Sequence, residues 1–262
     1  MQENELKKVK RAQSIMLEEM KVVHDICEKH NIPYFANGGT CLGAIREGGF
    51  IPWDDDLDIT FTRENYEKFF SAAREELKNY RNCKYDLYVT DHHGVRGYRV
   101  AADVDDDILG KATVEIDCQV LDRLPESRLK QKLMRFRLEL YRAMIRRDRK
   151  HLRFPKKLAA AVMGFLGRIR TYRGVQKSFY KTATKYNGPD NHYPYYISSN
   201  DAAYILMGRS YPAQWFEERI PADFEDMKIY VPKMYHEYLT YEFGDYMKRP
   251  PADQQVPAHE TF

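Results

Sequence analysis

The chain has 262 residues, 43% hydrophobic and 31% charged, with a net charge of +3. That is enough to bury a full core, and the balance excludes a disordered chain. The longest apolar stretch, Leu158 to Leu166, is far short of the ~20 residues that span a bilayer.

In chain order, residues 3–30 place Leu6, Val9, Ile15, Met16, Met20, Val23, Ile26 and Cys27 at three- and four-residue intervals, which predicts an amphipathic helix ended by Asn31-Ile32-Pro33. The polar opening MQENELKKVKRAQ has no apolar core segment, which points away from a cleaved secretory signal. A short strand from Tyr34 to Asn37 runs into Gly38-Gly39, and Thr40 is placed to cap a helix reaching Glu47. Gly48-Gly49 breaks that helix, a loop with Pro52 follows, and a second strand is expected from Asp56 to Phe61. Residues 64–79 read as a helix, and 85–90, 96–102 and 113–118 as strands. From Glu126 onward, 126–153 and 157–186 read as long helices, with a further helix from Lys233 to Tyr241 stopped by Gly244.

This order implies an α+β fold, a mixed sheet flanked by helices with a largely helical C-terminal extension. Residues 1–125 form the expected catalytic core. Residues 126–262 form an extension completing the same cleft. The scattered Cys27, Cys41, Cys83 and Cys118 show no metal-site spacing and suit reduced thiols in a cytoplasmic protein.

The acidic run Asp54-Asp55-Asp56-Leu57-Asp58 carries the chemistry. In an extended chain Asp54, Asp56 and Asp58 share one face and Asp55 points away. Asp56 and Asp58 would then stand roughly 6–7 Å apart at the backbone, so that their carboxylates can converge on one hard cation at about 2.1 Å. Asp117, ending Val114-Glu115-Ile116-Asp117, joins them if its strand lies beside theirs. An acidic run alone is more often a solvated loop, as Asp105-Asp106-Asp107 illustrates. A calcium loop is excluded, because Ile59 stands where glycine is required and Asn65 where the bidentate glutamate belongs. The upstream Gly38-Gly39 turn, between strand and helix, lets backbone amides approach a phosphate, and Arg46 could add a bidentate contact.

The stretch Tyr34-Phe35-Ala36-Asn37-Gly38-Gly39-Thr40-Cys41-Leu42-Gly43-Ala44-Ile45-Arg46, followed by Gly49-Phe50-Ile51-Pro52-Trp53-Asp54-Asp55-Asp56-Leu57-Asp58-Ile59, resembles the signature of the LicD family. Val114 to Asp122 and Val231 to Pro251 are similar to that family's second acidic block and its closing motif. Cys118, Gln119, Val120 and Phe243 depart from the usual pattern. The resemblance implies a nucleotidyltransferase fold related to the polymerase β palm. It implies Mg²⁺ or Mn²⁺ as cofactor, with Asp56 and Asp58 as primary metal ligands and Asp117 as third ligand or general base. Asp54 would hold a second metal or position the first. Gly38, Gly39 and Thr40 would bind the donor diphosphate, and Arg99 a phosphate. The implied reaction moves a substituted phosphate, phosphocholine being the best-known, from a CDP-linked donor to a glycan, teichoic-acid or lipid-linked sugar hydroxyl.

Nucleotide transfer from an NTP to a small molecule uses similar parts, although its motif would normally lack the insertion between Arg46 and Trp53. A basic nucleic-acid binder would leave the carboxylates unexplained, and no nucleic acid is expected as partner. The basic run from Arg128 to Lys157 reads either as a solvated face or as attraction to a polyanionic acceptor or an anionic membrane surface. Tyr193-Pro194-Tyr195-Tyr196 could cage a quaternary ammonium, but packing is the favoured reading. His92-His93 and His259 show no metal spacing.

Overall fold

The computed structural model describes residues 3–80, 83–91, 97–145, 171–188, 193–198 and 209–257. His92-His93, His259 and the basic residues 146–157 lie outside them. The chain divides into one unit of residues 1–91, 98–120 and 214–262, and a second of 92–97 and 121–213.

The first unit is mixed α+β. Its sheet has the order β1-β2-β5-β4-β3, with β1 Phe35–Ala36, β2 Asp58–Thr62, β3 Leu87–Asp91, β4 Tyr98–Asp106 and β5 Gly110–Leu124. The last four residues of β5 belong to the second unit. Helix α1 (Glu3–Lys29) buries Ile15, Met16, Met20, Val23 and Ile26, and packs on β4 and α3 (Arg63–Glu76). Phe61 of β2 stacks on Phe69 of α3 at 5.0 Å. Each such fully buried side chain contributes roughly 1.5–3 kcal/mol.

Helix α2 is Gly38–Arg46, not a helix capped by Thr40. Asn37, extended at φ −124 and ψ 157, is the last residue outside it, and its carbonyl already accepts from the Cys41 N–H at 3.2 Å. The Thr40 hydroxyl instead accepts the Asp58 N–H at 2.8 Å, tying α2 to the start of β2. That strand starts at Asp58 rather than Asp56. The Gln13 amide of α1 donates to the Ile51 and Asp54 carbonyls at 3.0 and 2.8 Å, holding the preceding residues as a loop.

Asp105 and Asp106 end β4 instead of standing in a loop. The Asp106 carboxylate accepts the Ile108 and Leu109 amides, closing the hairpin into β5, and it pairs with Arg11 at 2.7 Å. A second hairpin, β8 (Arg219–Phe224) and β9 (Met227–Pro232), presents Glu225 at its tip. The Glu225 carboxylate accepts the Phe50 N–H at 2.9 Å, and its own N–H donates to the Gly48 carbonyl. Gly48, at φ +70, makes the turn that this contact needs. Helix α6 (Tyr235–Phe243) ends at Gly244, φ +70, as expected.

In the second unit, α4 (Arg128–Ile145) and α5 (Tyr172–Ala183) fall within the two long helices expected from sequence. Leu138, Met134, Val175 and Phe179 form their shared core with Leu124 and Ile197. Strand β6 (Tyr195–Ser198) pairs antiparallel with Leu121–Leu124, and β7 (Tyr211–Pro212) with β6. Tyr196 is buried beneath the Arg123 guanidinium, and Tyr193 meets Tyr186 edge to face at 5.3 Å, which is packing of the expected kind. No helix among the described residues is long and apolar enough to cross a membrane.

Candidate active site

Strand β5 lies beside β2, as the acidic residues required: the Asp117 N–H donates to the Leu57 carbonyl at 3.0 Å. Asp54, Asp56 and Asp58 are partly accessible while Asp55 and Leu57 are buried, the alternation expected of this run. The glycine pair faces the same carboxylates. A side chain added at Gly39 would strike the Asp54 carboxylate, and one at Gly38 would stand 3.6 Å from Asp58 Oδ2. Gly39 therefore admits the close approach of the Asp54 carboxylate, quite apart from any phosphate, whereas the space at Gly38 is ordinary contact distance.

The Gly38 N–H is taken by the Tyr238 hydroxyl at 2.9 Å, and that hydroxyl donates to Asn37 Oδ1 at 2.6 Å. Tyr238 comes from α6 and is fixed by Phe216 and Trp215, ring to ring at 5.6 and 6.4 Å. The Gly39 and Thr40 amides, in the first turn of α2, remain directed at the helix N-terminus, where a partial positive charge favours an anion.

Arg99 on β4 lies opposite Asp117 on β5. Its guanidinium donates to Asp117 Oδ2 at 2.9 Å and Glu115 Oε2 at 2.5 Å. Burial alone would lower its pKa, but Asp117, Glu115 and Asp58 outweigh this and raise it. Arg99 is thus a fixed cation inside the carboxylate group. Arg46 is engaged elsewhere: its buried guanidinium binds Glu47 at 2.8 Å and the Tyr246 carbonyl at 3.0 Å, and Glu47 also receives Arg249.

Asp54 records the strain of grouping these acids. Burial, then the charges of Asp56 and Asp55, push its carboxyl up to about 8. Among the described residues no group of three or more His, Cys, Asp or Glu side chains is placed to hold a metal ion. In chemical type the side chains here suit a hard divalent cation, since they are carboxylates, and a cation beside them would offset the burial and the neighbouring charges that raise the Asp54 pKa.

The sign of that coupling is testable. A folded-state pKa raised to about 8 means that stability is lost as pH rises toward that value in metal-free buffer. Millimolar Mg²⁺ or Mn²⁺ should therefore raise Tm clearly at pH 8 and little at pH 5, and Asp54→Asn should flatten the metal-free profile. A metal effect independent of pH in thermal melts would contradict this.

Behind the site, Glu19 of α1 is fully buried, and neither carboxylate oxygen has a hydrogen-bond partner among the described residues. Burial and then the Glu115 charge raise its pKa well above the ordinary range. Its contribution is complete below the ordinary glutamate pKa and is lost as pH rises through the folded value. Glu19→Gln should raise Tm by roughly 5 °C at pH 8 and leave it unchanged near pH 4. Equal Tm values at both pH would contradict the buried-acid assignment.

Comparison with known proteins places this arrangement among enzymes that handle phosphoryl groups. Residues 31–108 match the family described as LicD/FKTN/FKRP, nucleotidyltransferase domain. The lipopolysaccharide cholinephosphotransferase LicD of Haemophilus influenzae is 28% identical over 253 residues, 94% of each chain. An uncharacterized protein of Rickettsia typhi is 46% identical over 72 residues, 27% of this chain and 23% of that one. One of Rickettsia prowazekii is 50% identical over 46 residues, 18% of this chain and 17% of that one. Residues 31–108 therefore carry a LicD-family domain, and the similarity along 94% of the chain to a cholinephosphotransferase marks the protein as a phosphotransferase.

Proposed function

We propose that this protein transfers phosphocholine, or a similar phospho-alcohol, from a CDP-activated donor to a hydroxyl of a cell-surface glycan or teichoic-acid precursor, releasing CMP. The observation that carries the reading is the packing of Gly38 and Gly39 against the Asp58 and Asp54 carboxylates. It supports a reading in which a diphosphate and its accompanying cation share one place. Similarity along 94% of the chain to a cholinephosphotransferase supports the choice of transferred group. The fold is read as a nucleotidyltransferase of the polymerase β palm type.

In this reading the Gly39 and Thr40 amides hold the donor diphosphate at the α2 N-terminus. Asp56 and Asp58, with Asp54 and Asp117, hold Mg²⁺ or Mn²⁺. When bound, the ion neutralises the diphosphate and the leaving CMP. The acceptor hydroxyl oxygen forms a bond to the distal phosphorus, the bond from that phosphorus to the CMP oxygen breaks, and Asp117 takes the hydroxyl proton. Arg99 keeps Asp117 oriented and would add positive charge for the transferred phosphate. The acceptor is polyanionic or lipid-linked, and the protein works at the cytoplasmic side.

The test is CMP release from CDP-choline, CDP-ethanolamine, CDP-glycerol and CDP-ribitol with candidate sugar acceptors and Mg²⁺ or Mn²⁺. Acceptor-dependent CMP release from one donor is expected. Pyrophosphate release from ATP or CTP, with every CDP-linked donor inert, would overturn the proposal.

A further inference from the structure

Helix α4 has two apolar faces. Met134 and Leu138 are buried in the core of the second unit, 4% and 0% exposed. At about 100° per residue, Leu129, Leu133 and Phe136 lie on the opposite side. They are 77%, 49% and 65% exposed. Such a stripe on a water-facing helix is costly unless something covers it.

The edges of the stripe identify the cover. Lys130 and Arg137 flank it on one side, Arg128 and Lys132 on the other, and Glu139 is the helix's one acid. A nucleic acid would satisfy the cations but leave Leu129 and Phe136 in water. A second copy of the chain would bury the apolar residues but set two basic rims against each other. An anionic lipid surface meets both demands: leucine and phenylalanine enter below the headgroups while lysine and arginine reach up to the phosphates.

We propose that α4 docks the protein, lying flat, on an anionic lipid bilayer through Leu129, Leu133 and Phe136 and their basic rim. No helix among the described residues is long and apolar enough to span a membrane, and the attachment proposed through α4 is a surface one. This goes beyond the transfer reaction and would bring the enzyme to acceptors carried on lipid.

The experiment is flotation of the full chain, without donor or acceptor, with vesicles of phosphatidylcholine alone or mixed with phosphatidylglycerol. Wild type should float with the anionic vesicles, less as salt rises, and stay behind with the neutral ones. The pair Leu129→Ser, Phe136→Ser should weaken binding about tenfold with Tm unchanged, since both side chains are exposed. Lys130→Glu with Lys132→Glu should do the same through charge. The proposal is overturned if wild type does not float, if Leu129→Ser, Phe136→Ser floats equally well, or if sedimentation shows a dimer that this pair dissolves. Turnover on a short soluble acceptor should be unaffected in the variants, so loss of docking and absence of the transfer activity are separable results.

Discussion

Asp58→Asn is expected to leave the protein folded and to lower kcat for CMP release by about 10³-fold. Asparagine keeps the shape of the side chain, and the backbone bonds of Asp58 are unchanged by it. Its N–H donates to Thr40 Oγ1, and its carbonyl accepts the Asn37 N–H at 3.0 Å. What is lost is one negative charge facing the Gly38 turn and within the field of Arg99. Removing an acid from a repelling group should leave Tm unchanged or slightly higher. The contrast with an ordinary core mutation is then sharp, because activity falls while stability does not. Thermal melts and saturating-donor kinetics on the same preparation decide the matter, and full turnover in Asp58→Asn would remove the core of the proposed function.

Much of the fold was legible because its elements repeat locally. The apolar spacing of α1, the Gly48-Gly49 and Gly244 breaks, and the alternation that hides Asp55 all follow from neighbours within a few residues. The adjacency of Asp117 to the first acidic run was a guess about strand order, and the Leu57 contact bears it out. The rest depended on partners far away in the chain. Gln13 and Glu19 occupy buried positions in the apolar face of α1, and this interruption was the available signal. Neither the loop carbonyls that Gln13 holds nor the company of Glu19 and Glu115 could be read from it. Tyr238 lies 201 residues from Asn37 and gave no local cue, although it stands within the closing stretch similar to the family. Arg46 and Arg99 looked alike in sequence as basic residues near a site. Their neighbours separate them: Arg46 joins Glu47 and Tyr246, whereas Arg99 sits among the acids.

Two glycines of α2 should respond to alanine in opposite ways. At Gly43 the new methyl would collide with the Gly49 carbonyl and lie 3.3 Å from the Ile51 N, both backbone atoms that cannot move alone. Gly43→Ala is therefore expected to cost about 1–3 kcal/mol and lower Tm by several degrees, with activity falling only as the protein unfolds. At Gly39 the obstacle is the end of the Asp54 side chain, which can swing aside. The fold then survives, and the displaced carboxylate is the one whose raised pKa marks it as part of the acidic group. Gly39→Ala should keep Tm within a few degrees of wild type yet reduce kcat/KM by about 10²-fold and weaken the metal-dependent rise in Tm. A loss of stability in Gly39→Ala as large as in Gly43→Ala would show that the glycine serves the fold. Unchanged activity would show that the position of Asp54 does not matter to the chemistry. Separating the two variants tests whether this helix start is shaped by packing alone or by the need to bring a carboxylate against a bare backbone.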